Sequence, residues 1–340
     1  MSRLAPIAER AAAPATLDLP PSDLGLAWRP LTPADVPELT VLVQAQEEGD
    51  GLPFRTVEDE VAEYFDSASL DPEHDTVVGV DGEGTMRAYC FVMTYAGDTS
   101  LVRALHLGGV HPQWRRRGVG TALVAWANGR ARQLLATSGN EVPGRIAVYL
   151  DESQQGAERL FLAAGYTPIR YFSELKRPLD DTLGAHAPGD GVRIEAWPDD
   201  DEPVRLTHNE AFADHWGSQP RSVEDWSNYR SMFAKQWSFV AVDEATGQVV
   251  GYVETGKYEQ DWELSGYSSG YISLLGVLRS WRGRGIAKAL LAATMVAQRA
   301  DGIEYAEIGV DTANPSGAHG LYAALGFVPF RSETMLSIEI

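Results

Sequence analysis

The sequence of 340 residues has one cysteine, few cations and no long apolar run, and each scarcity removes a class of protein. Cys90 stands alone, which excludes an intramolecular disulfide framework and a cysteine-rich metal site. No spacing of His, Asp and Glu suggests metal ligation, so no metal is expected. No stretch approaches the roughly eighteen apolar residues that a membrane-spanning helix needs, and no membrane partner is expected. The N-terminus is Ala- and Pro-rich with scattered charges and no apolar signal core, which points to a cytoplasmic protein. Lysine and arginine number 28 against 48 acidic residues, a net charge of −20. That balance repels nucleic acid and suits a cationic or amine-bearing ligand, although general solubility accounts for it equally well. What is present is a globular composition, 44% apolar with 9 Trp, at a length that suits two domains each with its own core.

The most informative stretch occurs twice. Val110-His-Pro-Gln-Trp-Arg115-Arg116-Arg117-Gly118-Val119-Gly120 returns as Val277-Leu-Arg-Ser-Trp-Arg282-Gly283-Arg284-Gly285-Ile286-Ala287. Each copy follows an apolar, strand-like run and opens a segment with apolar residues at helical spacing. A strand, a Gly- and Arg-rich turn and a helix start together make an anion site. Glycine lets the backbone approach closely, and the helix N-terminus adds partial positive charge. The turn lacks the Gly-Lys-Ser/Thr ending of a P-loop. It also lacks the third glycine of a dinucleotide fingerprint, since Leu123 and Lys288 stand there.

What remains, Arg-x-x-Gly-x-Gly/Ala, resembles the pyrophosphate-binding motif of the GNAT acyl-CoA N-acyltransferases. The resemblance implies an α+β fold of two tandem GNAT-like domains, each a mixed, mainly antiparallel sheet flanked by helices. It also implies acetyl-CoA as co-substrate, a small-molecule amine as acceptor, and acetyl transfer as the reaction. The cofactor would pair with the fourth strand of the second copy at Leu275 and Val277 and set its pyrophosphate on Arg282 to Ala287. Val110 and Arg115 to Gly120 would form the equivalent site in the first copy.

Read in order, residues 1–25 look like a flexible arm, 26–177 a first domain, 178–191 a linker and 192–340 a second domain. Strand and helix patterns alternate in the same order in both, with a helix expected over Val223 to Ala234. Val110 and Val277 stand 167 residues apart, as do Gly118 and Gly285, whereas Gly165 and Gly326 stand 161 apart. The first copy therefore carries six extra residues, most simply in the loop 138–144. Repeats of this length are duplicated domains.

Acyl transfer from a thioester needs a neutral amine, a stabilised carbonyl oxygen and a proton for the departing thiolate. By the resemblance, Asn314 contacts the cofactor and Tyr322, in the helix after strand five, is the general acid. The first copy has Ser153 and Phe161 in those places, and phenylalanine donates no proton. The first half thus reads as a binding or scaffolding half, an arrangement similar to that of the mycothiol synthases within the family. The general base is open: the family's usual strand-four Glu is replaced by Tyr271, and Glu254 and Asp311 are alternatives. His215 and Trp216, after the first helix of the second copy, are candidate substrate contacts. Mycothiol synthase activity and a non-catalytic acyl-CoA-binding sensor or interaction protein are the rival readings, and the sequence leaves the oligomeric state open.

Overall fold

The computed structural model describes residues 4–67, 69–95, 97–181, 183–184, 186–213, 218–228, 230–313 and 318–340, with the backbone alone at 318 and 319. The chain forms two compact units, Met1–Arg170 with Glu333–Ile340, and Tyr171–Ser332.

In the first unit α1 (Ile7–Arg10), β1 (Ala27–Arg29), α2 (Val36–Asp50), α3 (Glu58–Glu63), α4 (Pro72–Asp75), β2 (Thr76–Val80), β3 (Met86–Thr94), β4 (Val102–Val110), α5 (Val119–Ala136), β5 (Gly144–Asp151) and α6 (Gln155–Ala163) follow one another. β6 (Thr167–Pro178) leads into the second unit. There β7 (Val192–Ala196), α7 (Glu202–Ala211), α8 (Val223–Ser227), β8 (Phe239–Asp243), β9 (Val249–Gly256), α9 (Trp262–Ser265), β10 (Ser269–Val277), α10 (Ile286–Ala300), β11 (Tyr305–Asp311) and α11 (Ala318–Ala324) precede the last strand, β12 (Val328–Glu339).

Each sheet is mixed and mainly antiparallel. The first has the order β1-β2-β3-β4-β5-β12 and the second β7-β8-β9-β10-β11-β6, and the one parallel pair in each is β4–β5 or β10–β11. Strand alternation sends successive side chains to opposite faces. Val77 joins the core under α5, and Val78 joins the core under α2 and α3. In the second unit α10 covers one core, and α7 with α8 covers the other, around Trp197, Trp226 and Tyr252.

Three expectations need correction. The domain boundaries do not fall at 177 and 192, because the final strands are exchanged. β12 pairs with β5 over Glu333–Glu339 in the first unit, while β6 pairs with β11 over Phe172–Pro178 in the second.

The described residues of the arm and the linker form packed segments. Ile7 and Ala11 are fully buried, Arg132 of α5 donates to the Ala11 carbonyl at 2.7 Å, and Gln133 donates to Pro14 at 3.1 Å. The linker is held in the same way: Arg299 of α10, 167 residues after Arg132, donates to the Asp180 carbonyl at 2.9 Å. Gly25 and Gly191 both take left-handed φ, +79° and +77°, just ahead of the first strand of their copies.

The helix expected to reach Ala234 stops at Ser227. Beyond it the backbone bonds to the end of β9, Ala234 to Thr255 and Lys257 to Met232, each at 2.8 Å. Pairing with a neighbouring strand satisfies those groups without a helix. Among the described residues no helix is long and apolar enough to cross a membrane.

Candidate active site

The second turn is built as the glycine pattern requires. β10 ends at Val277, a short 3₁₀ turn spans Arg279–Trp281, and Gly283 and Gly285 adopt φ of +80° and +77° before α10 begins. Other residues adopt that region only with strain. Arg282 donates from Nε to the Val277 carbonyl at 3.1 Å and from Nη2 to the Ala211 carbonyl at 2.8 Å, which ties the turn to the end of α7. Arg284 stacks over Trp281 at 4.5 Å. Residues 282 to 285 are exposed, and the first amides of α10, at Ile286 and Ala287, have no partner inside the helix. The turn is an exposed, donor-rich cradle at a helix N-terminus.

Before the turn the sheet opens. β10 and β11 pair only over Ser269–Ile272 and Tyr305–Ile308, and then part. Leu275 and Val277, both half-buried, lie beyond the point of parting, where among the described residues β11 no longer pairs with their strand. The ladder between β9 and β10 slips by one residue between Ile272 and Leu274, which makes Ser273 a bulge at the start of the gap. A bulge turns backbone groups out of the ladder and is common beside active sites.

The candidate proton-handling groups lie on opposite faces of this gap. Tyr322, on α11, belongs to the core on the α10 side and meets Phe327 edge-on at 5.8 Å. Burial pushes its phenol up to about 12, so it is a neutral donor. Tyr271 and Glu254 lie on the face that α7 and α8 cover, as the register with Gly256 and Leu274 requires. The Tyr271 hydroxyl donates to Glu174 Oε1 at 3.4 Å. Glu254 has its pKa raised by burial, an effect opposed by Arg230, whose guanidinium lies 3.4 Å away. Asp311 accepts the Ala313 amide at 2.9 Å, a turn-closing bond that gives it a structural role. Asn314, His215 and Trp216 lie outside the described residues.

The sequence reading missed Glu174 and Arg230. Arg230 also pairs with Asp201 at 2.5 Å and sits over the rings of Trp197, Trp226 and Phe233. No pattern marked it. Glu174 lies within residues 26–177, the stretch expected to form the first domain, and only the exchange carries it into the second sheet.

The first turn keeps the frame and fills it. Arg115 donates to the Val110 carbonyl at 3.2 Å as Arg282 does to Val277, but its two Nη atoms engage Asp50 at 2.5 and 3.1 Å. Arg116 holds φ +64° where the second copy has Gly283, Arg117 lies over Trp114 at 4.7 Å, and Gly118 has φ +87°. Leu24 of the packed arm comes within 3.4 Å of where a Gly118 side chain would begin, and Leu160 within 3.1 Å at Gly120, ahead of which Val119 is buried. β4 and β5 also part, after Leu105 and Ala147, yet the β3–β4 ladder is regular and carries no bulge. Phe161, in place of the phenol, packs 5.1 Å from Tyr166 and 6.3 Å from His106. Tyr166 donates to Asn128 at 2.6 Å, and burial lowers the His106 pKa to about 4, so that imidazole is neutral.

Residues 235–329 match the Acetyltransferase (GNAT) domain family. The mycothiol acetyltransferase of Thermobispora bispora is 31% identical over 230 residues, covering 66% of this chain and 73% of that protein. That of Salinispora arenicola is 29% identical over 316 residues, covering 87% and 91%. A solved GCN5-related N-acetyltransferase from Sphaerobacter thermophilus superposes with a TM-score of 0.70 at 27% identity, over 95% of this chain and 97% of that one. Turn, parted strands and relatives agree: this chain belongs to the GNAT acetyltransferase family, with two units of that fold in tandem.

Proposed function

We propose that the second unit transfers an acetyl group from acetyl-CoA to a primary amine of a small molecule, and that the first unit turns over nothing. The observation that carries this reading is the pairing of an open, bulged strand gap with a neutral phenol in one unit only. The pyrophosphate would rest on the turn Arg282–Ala287, and the pantetheine would pair with the free edge of β10 at Leu275 and Val277. Asn314 would complete the cofactor contacts. A backbone amide at the Ser273 bulge would suit the carbonyl oxygen, since fixed dipoles stabilise developing charge.

Thiol and amine would then approach from opposite sides of the sheet, Tyr322 protonating the sulfur and the Tyr271–Glu254 face receiving the amine. His215 and Trp216, which follow α7, are proposed acceptor contacts. The relatives' names favour a finer reading, in which the acceptor is the unacetylated precursor of mycothiol. Free thiol is the readout that decides. Purified chain is mixed with acetyl-CoA and a panel of amines headed by that precursor. Amine-dependent thiol release supports the enzyme, and acetyl-CoA binding with no release from any amine would leave a sensor.

A further inference from the structure

Further polar groups cluster around Tyr271 where the exchanged strand β6 meets β11. Gly309 of β11 registers with Glu174 of β6, and Glu307 registers with both Lys176 of β6 and Tyr271 of β10, so all share one sheet face. Gly309 is exposed. A Cβ built on it would lie 2.8 Å from the Tyr271 hydroxyl and 2.8 Å from Glu174 Oε1. A side chain at this position would press on both groups where they meet at 3.4 Å across the mouth of the strand gap, and they would have to shift. Other carboxylates lie on the same face, each with its own partner. Glu307 accepts from Tyr267 at 2.8 Å, Glu254 faces Arg230, and Asp311 closes its turn. Lys176 is drawn away over the Tyr267 ring at 4.3 Å, and Tyr258 meets Tyr271 edge-on at 6.2 Å.

We infer that Glu174, carried into the second unit by the exchanged strand, is the final acceptor of the proton that the substrate amine must lose, and that Tyr271 relays it. This rests on acetyl transfer in the second unit. The acceptor arrives as an ammonium ion. One N–H proton passes to the Tyr271 oxygen as the Tyr271 hydroxyl proton passes to the Glu174 carboxylate. The neutral amine then attacks the thioester carbonyl. A C–N bond forms, the C–S bond breaks, and the CoA thiolate takes the Tyr322 proton. The amide nitrogen sheds its extra proton to water, Tyr322 regains one from water, and Glu174 returns its own to solvent. Tyr271 touches the substrate and Glu174 acts through it, so Glu174 is a positioning residue with a proton-accepting role. It follows that a strand encoded with the first copy completes the active site of the second.

The test uses the full chain with Glu174→Gln, which keeps shape and removes the charge. Amine kcat/KM should fall roughly 100-fold at neutral pH, the scale of general-base loss, and the deficit should close as pH rises and the amine arrives neutral. The acetyl-CoA KM should stay unchanged. Gly309→Ala, which separates the pair, should show the same pH signature. A deficit equal at every pH, or none at all, overturns the inference. A second readout needs no turnover. In tyrosine-labelled protein followed by carbon NMR, with Tyr271→Phe assigning the signal, Glu174→Gln should move the Tyr271 titration to lower pH, because a neighbouring negative charge has gone. An unmoved titration overturns the pair. Tyr322→Phe, run in parallel, tests the underlying reading separately, since its failure to slow turnover removes the acid and leaves the base standing.

Discussion

The two units share a sheet order, a turn and a packed leading segment, and they differ in what fills the space between. In the first, Arg115 is clamped by Asp50, Phe161 closes on His106 and Tyr166, and β4 runs straight. In the second, Arg282 anchors only backbone, Tyr322 offers a phenol, and β10 bulges at Ser273. Retaining the frame costs a duplicated domain nothing. Retaining a site requires that donors stay uncommitted and the gap stay open.

The sharpest way to break the comparison is to cut the chain at the sequence repeat. A fragment of residues 191–340 lacks β6, the strand that pairs along β11, and carries the stretch of β12 that belongs to the first sheet. It is expected to show no cooperative melt and no acetyl-CoA binding. Residues 171–332, cut at the structural boundary, should retain a melt. Circular dichroism on the two fragments checks this.

Tyr322→Phe comes next. Loss of a general acid costs on the order of 10²–10⁴ in rate, and a thiolate is a good leaving group, so a fall of about 10² in kcat is expected. Because burial raises this phenol to about 12, it stays protonated at any pH well below that value. The wild-type rate should therefore show no alkaline decline traceable to Tyr322 in the mildly basic range, and Phe161→Tyr should confer no turnover on the first unit. Rate profiles of both variants settle the matter.

A smaller effect separates the turns. Gly285→Val places a branched side chain at φ +77°, a cost of about 1–2 kcal/mol, and should raise the acetyl-CoA KM roughly tenfold. Gly118→Val carries the same backbone strain at φ +87° and should lower the melting temperature without changing that KM. The smallest effect is expected from Asp50→Ala. The pair it breaks is partly exposed and worth about 0.2–1 kcal/mol, but freeing Arg115 should let a nucleotide diphosphate bind the first turn measurably by calorimetry.

Much of this was legible in the sequence for physical reasons. The doubled Arg-x-x-Gly turn, the strand before it and the helix after it are short-range features, set by φ and by apolar spacing. So are Tyr322 and its replacement by Phe161, since a side chain either has a hydroxyl or lacks one. The helix expected at Val223 to Ala234 failed because Ala234 and Lys257 found backbone partners on another segment, which local periodicity does not register.

The sequence by itself determined the fold class, the duplication, the turn and the presence of a phenol at Tyr322 in one copy only, because each depends on neighbours within a few residues. Tertiary structure alone decided that β6 and β12 trade places. Either strand has the same alternating pattern and satisfies the same edge, so no local signal distinguishes a retained strand from an exchanged one. That exchange puts Glu174 beside Tyr271. The same holds for the packed arm, since the hydrogen-bond partners of Ile7 and Ala11, Asn140 and Arg132 of α5, lie more than a hundred residues away.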